Sequence, residues 1–100
     1  MWEVEIGEVK QIPTVFSLEQ NYPNPFNPST IIGYAVPRSA NVSLRVFNTL
    51  GQEVAVLVNE RKEAGFYQTT WNASTVPSGI YFYRLQAGEY VETKKMILLR

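Results

Sequence analysis

Hydrophobic and polar residues alternate with a period of two along most of the chain, which is typical of half-buried β-strands. The alternation runs through residues 2–6, 32–36, 42–47, 54–58, 67–71, 80–86 and 90–99. Clusters of Gly, Pro, Asn and Ser separate these segments, and no helical periodicity appears after Thr30. Short strands at this spacing predict an all-β fold, an immunoglobulin-like antiparallel β-sandwich of six or seven strands.

The alternation also predicts which side chains form the core. Tyr81, Tyr83 and Leu85 are expected on one face of their strand, and Trp71 is expected to be the main core anchor because a buried Trp removes a large apolar area from water. Valines at positions 54, 56 and 58 continue the alternation on a separate strand.

Residues 21–30, NYPNPFNPST, fit neither a strand nor a helix, because three prolines interrupt both. Each proline restricts the residue before it to extended conformations, and Asn side chains imitate turns by bonding to nearby backbone. We expect a rigid strap across one end of the sandwich, with Tyr22 and Phe26 buried and Thr30 beginning the next strand. The alternative is an exposed ligand for a proline-recognition domain.

Composition and charge narrow the class of protein. The 100 residues suffice for one domain, and nine acidic and nine basic residues give no net charge, which argues against nucleic acid as a partner. No apolar run approaches the ~20 residues that span a bilayer, so no membrane insertion is expected, and no signal peptide is evident. The chain contains no Cys, His or Asp, which removes most catalytic pairs and metal ligands. Two glutamates alone can serve a glycosidase, but no other signal supports one, so neither an enzyme nor a cofactor is predicted.

Domain boundaries follow from the same patterns. We interpret residues 1–15 as an upstream linker or the tail of a preceding domain, with Met1 an artificial start residue, and residues 16–100 as the domain itself.

The final strand leaves an edge or a frayed tail, whose backbone could pair with a strand of a receptor or of a second copy.

Several motifs together resemble the type A C-terminal sorting domain of the type IX secretion system, also called the Por secretion system. They are LEQNYPNPFNPST (18–30), IGY (32–34), VFNTLGQEV (46–54), LV (57–58), AG (64–65), PSGIYFYRL (77–85), Gly88 and KKMILLR (94–100). These motifs extend over about residues 16–100 and occur in the family's order.

The resemblance implies a secretion signal that directs a covalently linked N-terminal cargo through the periplasm and across the outer membrane, to the cell surface or the medium. Its expected partners are the type IX translocon and a sortase-like peptidase, which often removes or processes the domain. A cut is expected within residues 7–15, where the chain is irregular.

Two segments map onto the family's recognition motifs. The predicted recognition residues are Pro77, Gly79, Tyr81, Gly88, Lys94, Lys95, Met96, Leu98 and Arg100. The three cations would select an acidic receptor groove, although lysines on an edge strand also serve simply to prevent aggregation.

The second hypothesis is a non-catalytic immunoglobulin-like accessory module of an extracellular enzyme, which binds carbohydrate or spaces domains. Its binding platform would consist of exposed aromatic residues, namely Tyr67, Phe82, Tyr83 and Tyr90.

Overall fold

The structure, a computed structural model, describes residues 11–100. The strand predicted at residues 2–6 lies outside this part of the chain. The described residues form seven strands: β1 (Ser17–Leu18), β2 (Ser29–Val36), β3 (Ala40–Phe47), β4 (Glu53–Lys62), β5 (Gly65–Asn72), β6 (Gly79–Ala87) and β7 (Tyr90–Leu98). The all-β class is therefore confirmed, and residues 11–100 include no helix long and apolar enough to cross a membrane.

The strands form two sheets that pack face to face as a β-sandwich. One sheet has the order β1-β2-β5 and the other β4-β3-β6-β7, and all pairings between these strands are antiparallel. The constant-type immunoglobulin sandwich has four strands in the sheet that contains its first strand, whereas here β4 pairs with β3 in the other sheet. The immunoglobulin-like relationship stays a prediction.

The core contains the inward-facing residues of both sheets, as the alternation predicts. Tyr81, Tyr83 and Leu85 are buried, and Trp71 is only 6% exposed. The Trp71 ring lies 5.8 Å from that of Phe26 and contacts Tyr81 edge-on at 5.4 Å. The prediction that Trp71 is a core anchor is confirmed.

Strand β4 departs from simple alternation. Its pairing with β3 shifts register between Leu44 and Arg45 and again between Val46 and Phe47. Such bulges change the face to which later side chains point, so Val56 is 46% exposed. The strand also continues to Lys62, and the turn predicted over residues 60–65 is confined to positions 63 and 64.

The proline-rich segment, residues 21–28, is a strap across one end of the sandwich, as predicted. Phe26 is buried in the core, and β2 begins at Ser29, one residue before the predicted Thr30. The predicted burial of Tyr22 is wrong, because its side chain is 77% exposed. Asn21 is buried instead, and its amide nitrogen donates to the carbonyl of Pro23 and to Thr30 Oγ1.

Candidate recognition site

The two predicted recognition segments meet at the end of the domain that the strap covers. Strand β6 begins where β7 ends, and the register pairs Gly79 with Leu98 and Tyr81 with Met96. Residues 77–81 and 96–100, although well separated in sequence, therefore lie side by side. The fold brings together most of the predicted recognition residues.

Arg100 connects the end of the chain to the loop between β5 and β6. Its backbone N–H donates to Ser78 Oγ at 3.0 Å. Its guanidinium Nη2 donates to the carbonyl oxygens of Ala73 and Val76. Because hydrogen bonds from a charged donor are stronger than neutral ones, Arg100 fixes the loop that contains Pro77.

The strap covers the outer edge of β7 near the end of the chain. Ile97 N donates to Asn24 Oδ1 at 3.0 Å, and Phe26 N donates to Ile97 O at 3.0 Å. Leu99 N donates to Phe26 O at 3.0 Å, and Gln20 Nε2 donates to Lys95 O at 2.8 Å. The expectation of an open edge or frayed tail is therefore wrong for residues 95–99, because Lys95 O, Ile97 N, Ile97 O and Leu99 N are bonded within the domain.

The first half of the same edge is different. In an antiparallel ladder alternate residues direct both backbone groups outward, and this places Val91 and Thr93 in line with Ile97. No group in residues 11–100 hydrogen bonds to their outward N–H and C=O. Pairing with a receptor strand or with a second copy of the chain therefore stays a prediction for this half of β7 alone.

Three predicted recognition residues have buried side chains. Tyr81 is 4% exposed and donates its hydroxyl hydrogen to Pro77 O at 2.6 Å. Met96 and Leu98 are fully buried in the core. In the folded domain these side chains hold the segments in place, and a partner cannot contact them directly.

Gly79 and Gly88 lie at opposite ends of the domain. Gly79 begins β6 with φ of 154°, and Gly88 occupies the β6–β7 turn with φ of 61°. Eight residues of strand separate the two ends, about 27 Å at the usual rise. Gly88 is therefore not part of the cluster that the other segments form.

The two adjacent lysines have different surroundings. Lys94 Nζ lies 3.3 Å from Glu92 Oε2, whereas Lys95 is exposed and forms no ion pair with any residue of the described range. A hydrogen bond from Tyr90 lowers the pKa of Glu92 below its ordinary value, and the nearby Lys94 lowers it further. Burial, with the Glu92 hydrogen bond, raises the pKa of Tyr90 to about 12. Of the pair, Lys95 is the cation available to a partner.

Tyr83 is a site residue that the sequence did not identify as one. Its buried hydroxyl accepts from Asn21 N at 2.8 Å and donates to Glu19 O at 2.7 Å, which ties the beginning of the strap to β6. Burial raises the pKa of Tyr83 to about 12. Asn21 and Asn24 were also missed, since their sequence context predicts only local turns and gives no sign of distant partners.

The aromatic platform of the second hypothesis is not formed. Tyr83 is buried, and Tyr67 stacks on Tyr34 at 5.4 Å beside the core. Tyr90 stacks on Phe16 at 5.2 Å, while Phe82 lies on the opposite, outer face of the sheet that contains Tyr90. These aromatic rings therefore do not share one exposed surface.

Groups of three or more His, Cys, Asp or Glu that could hold a metal ion are absent from residues 11–100. The geometry thus defines a class: a β-sandwich in which two distant segments and a strap are joined at one end by backbone and side-chain hydrogen bonds.

The chain belongs to the family described as the secretion system C-terminal sorting domain, which matches residues 20–99. This match confirms the resemblance to type IX sorting domains. Members of this family are secretion signals and not catalysts, and their cargo is secreted or displayed at the cell surface. No curated protein and no solved structure matches the chain.

Proposed function

We propose that this domain directs a covalently linked N-terminal cargo protein from the periplasm across the outer membrane, and that the type IX translocon reads it in its folded form. The observation that carries the proposal is the meeting of residues 77–81 and 96–100. These segments form one surface only in the folded domain, so a receptor that needs both must bind after folding. In this role the domain needs no cofactor and catalyses no reaction.

We further propose that a sortase-like peptidase cuts upstream of the packed domain, within residues 7–15. Val15 is 64% exposed, and the chain is irregular at this point. Packing begins at Phe16, whose ring stacks on Tyr90 and lies 5.1 Å from the Arg38 guanidinium. A peptidase needs an exposed, irregular segment, which favours bonds before Phe16. Residues 7–10 lie outside the described range.

The export function is tested by fusing the whole chain to the C-terminus of a periplasmic reporter in a host that has the type IX system. We expect the reporter at the cell surface or in the medium, and we expect it to stay in the periplasm when the translocon is deleted. The reporter without the domain is the control. Equal retention of both reporters in the periplasm would contradict the proposal.

Arg100→Ala tests whether the joined segments matter for export. The substitution removes charge-assisted hydrogen bonds to the β5–β6 loop, and losing about one such bond corresponds to roughly a tenfold decrease in export. Arg61→Ala is the matched control, because Arg61 is exposed on β4 and forms no ion pair within the described residues. Export of the Arg100 variant at the control level would show that this contact is not needed.

A further inference from the structure

Strands β6 and β7 contain most of the two recognition segments. Each of these strands has one face buried in the core. Tyr81, Met96 and Leu98 point into the core, so a receptor bound to the folded domain cannot reach them. The residues between them, including Ile80 and Ile97, point away from the core. Of the strand side chains in these segments, a receptor bound to the folded domain can contact only those on this outer face.

The outer face carries a continuous group of apolar and cationic side chains near the strap end. Ile80 pairs across the strands with Ile97, and Phe82 lies between Phe47 on one side and Lys95 on the other. Ile80 is 41% exposed, and the other three apolar residues are half-buried. We name this surface the outer patch: Phe47, Ile80, Phe82, Arg84, Lys95 and Ile97.

The charges of the outer patch are all positive. The Arg84 guanidinium lies 4.6 Å from the centre of the Phe47 ring, and neither Arg84 nor Lys95 forms an ion pair with residues 11–100. The neighbouring Arg45 is different, because Glu53 lies 2.9 Å from it. Two uncompensated cations therefore border an apolar centre.

We infer that the outer patch is the surface by which the type IX receptor binds the domain, and that the receptor presents an apolar surface bordered by Asp or Glu. This inference rests on the proposed function and extends it to Phe47, Phe82 and Arg84, which lie outside the two recognition segments. Complementary charge at the border of an apolar contact fixes orientation and accelerates association.

Charge also argues against two other occupants. In a symmetric pair of outer patches, Arg84 and Lys95 would face the same cations of the second copy, and juxtaposed like charges oppose association. Binding to anionic lipid is marked by clusters of about four to eight cations, and this surface has two that are uncompensated. A protein partner with acidic residues fits both the apolar centre and its border.

The test uses the reporter fusion that carries the whole chain. Ile80→Asp introduces a carboxylate into the apolar centre, and Ile31→Asp is the matched control. Ile31 is 42% exposed, as Ile80 is 41% exposed, and it lies on β2 on the outer face of the other sheet. Buried apolar anchors near the centre of an interface dominate affinity, so we expect Ile80→Asp to lower export by about tenfold or more. We expect Ile31→Asp to stay within about twofold of the unmodified domain.

A second pair of variants tests the charge. Lys95→Glu reverses an exposed cation of the outer patch, and Arg61→Glu reverses one on β4 at the far end of the same sheet. Because border charges affect mainly the association rate, we expect about a threefold decrease for Lys95→Glu and little change for Arg61→Glu. Lys95 is exposed, so its substitution is not expected to unfold the domain. Thermal melts of all four fusions check that the folded state is retained.

The outcomes separate this inference from the proposed function. If the unmodified fusion is not exported, the proposed function fails and the inference with it. If the unmodified fusion is exported and Lys95→Glu and Ile80→Asp match their controls, only the outer-patch inference is overturned. It is also overturned if Ile80→Asp abolishes dimerisation in sedimentation without affecting export. Binding of the unmodified domain, but not Lys95→Glu, to phosphatidylglycerol vesicles, with export unchanged, would overturn it in favour of lipid.

Discussion

The two ends of the sandwich are built from different kinds of contact. At the hairpin end, strands β2–β3, β4–β5 and β6–β7 are joined by short turns, which depend mainly on residues close in sequence. At the strap end, which also has the short β3–β4 turn, the strap, the β5–β6 loop and the last residues of the chain hold one another, and Asn24 bonds to a residue 73 positions away. The end that carries the recognition segments is therefore the one that forms only when the whole domain has folded.

Two phenylalanines give the largest expected contrast between the ends. Phe26 is 2% exposed in the strap and packs on Trp71, whereas Phe66 is 62% exposed at the hairpin end. Phe26→Ala should lower the free energy of unfolding by about 3–5 kcal/mol because it leaves a cavity in the core. Phe66→Ala should change it by about 0.5 kcal/mol or less. Urea denaturation measures both, and similar losses for the two variants would show that the strap is not anchored in the core.

Alkaline pH should separate the ends through two tyrosines. Burial raises the pKa of Tyr83 to about 12, whereas an unfolded tyrosine ionises near pH 10. The folded state therefore keeps this proton as the unfolded state loses it. The contribution of Tyr83 to the free energy of unfolding is therefore fully present below about pH 10. About 2–3 kcal/mol of that contribution is lost as the pH rises to about 12.

Tyr83→Phe should remove this part of the pH dependence when unfolding is followed by denaturant titration from pH 9 to pH 12. Tyr90, whose pKa is also raised to about 12, is the control at the hairpin end. It is less buried than Tyr83, so water solvates its phenolate and Tyr90→Phe should remove a smaller part. A larger effect at Tyr90 would argue against the burial of Tyr83 beneath the strap.

The two glycines give a smaller contrast. A side chain at Gly79, with φ of 154°, occupies a region that is almost restricted to glycine, so Gly79→Ala should cost about 2–3 kcal/mol. Gly88 has φ of 61°, a left-handed conformation in which Gly88→Ala should cost about 1–2 kcal/mol. No atom lies within 4 Å of the added Cβ at either position, so the backbone alone decides the difference. Equal shifts in thermal denaturation would contradict it.

The sequence predicted the parts of the fold that depend on local pattern. Alternation located β2 to β7 and the buried face of β6, and the prolines identified the strap. The sequence-based prediction failed where the environment of a residue depends on residues far away in the sequence. Tyr22 was expected inside because it is aromatic, but Asn21 is buried there, since its backbone N–H donates to the buried hydroxyl of Tyr83, 62 residues away.

The recognition residues show the same division. The motifs identified the two segments, and the β6–β7 register then places them together. The closed edge of β7 was not predictable, because it depends on Asn24 and Phe26 reaching a strand at the other end of the sequence. The exposure of Val56 was not predictable for a related reason, since period-two alternation contains no sign of the bulges in β4.

Hydrogen exchange of the backbone amides of β7 tests most directly whether the end of the chain is an integral part of the fold. The account predicts that Ile97 and Leu99 are strongly protected because the strap accepts their hydrogen bonds. It predicts fast exchange for Val91 and Thr93 on the same edge. Fast exchange at all four amides would show that the last residues form a free tail and would contradict the account.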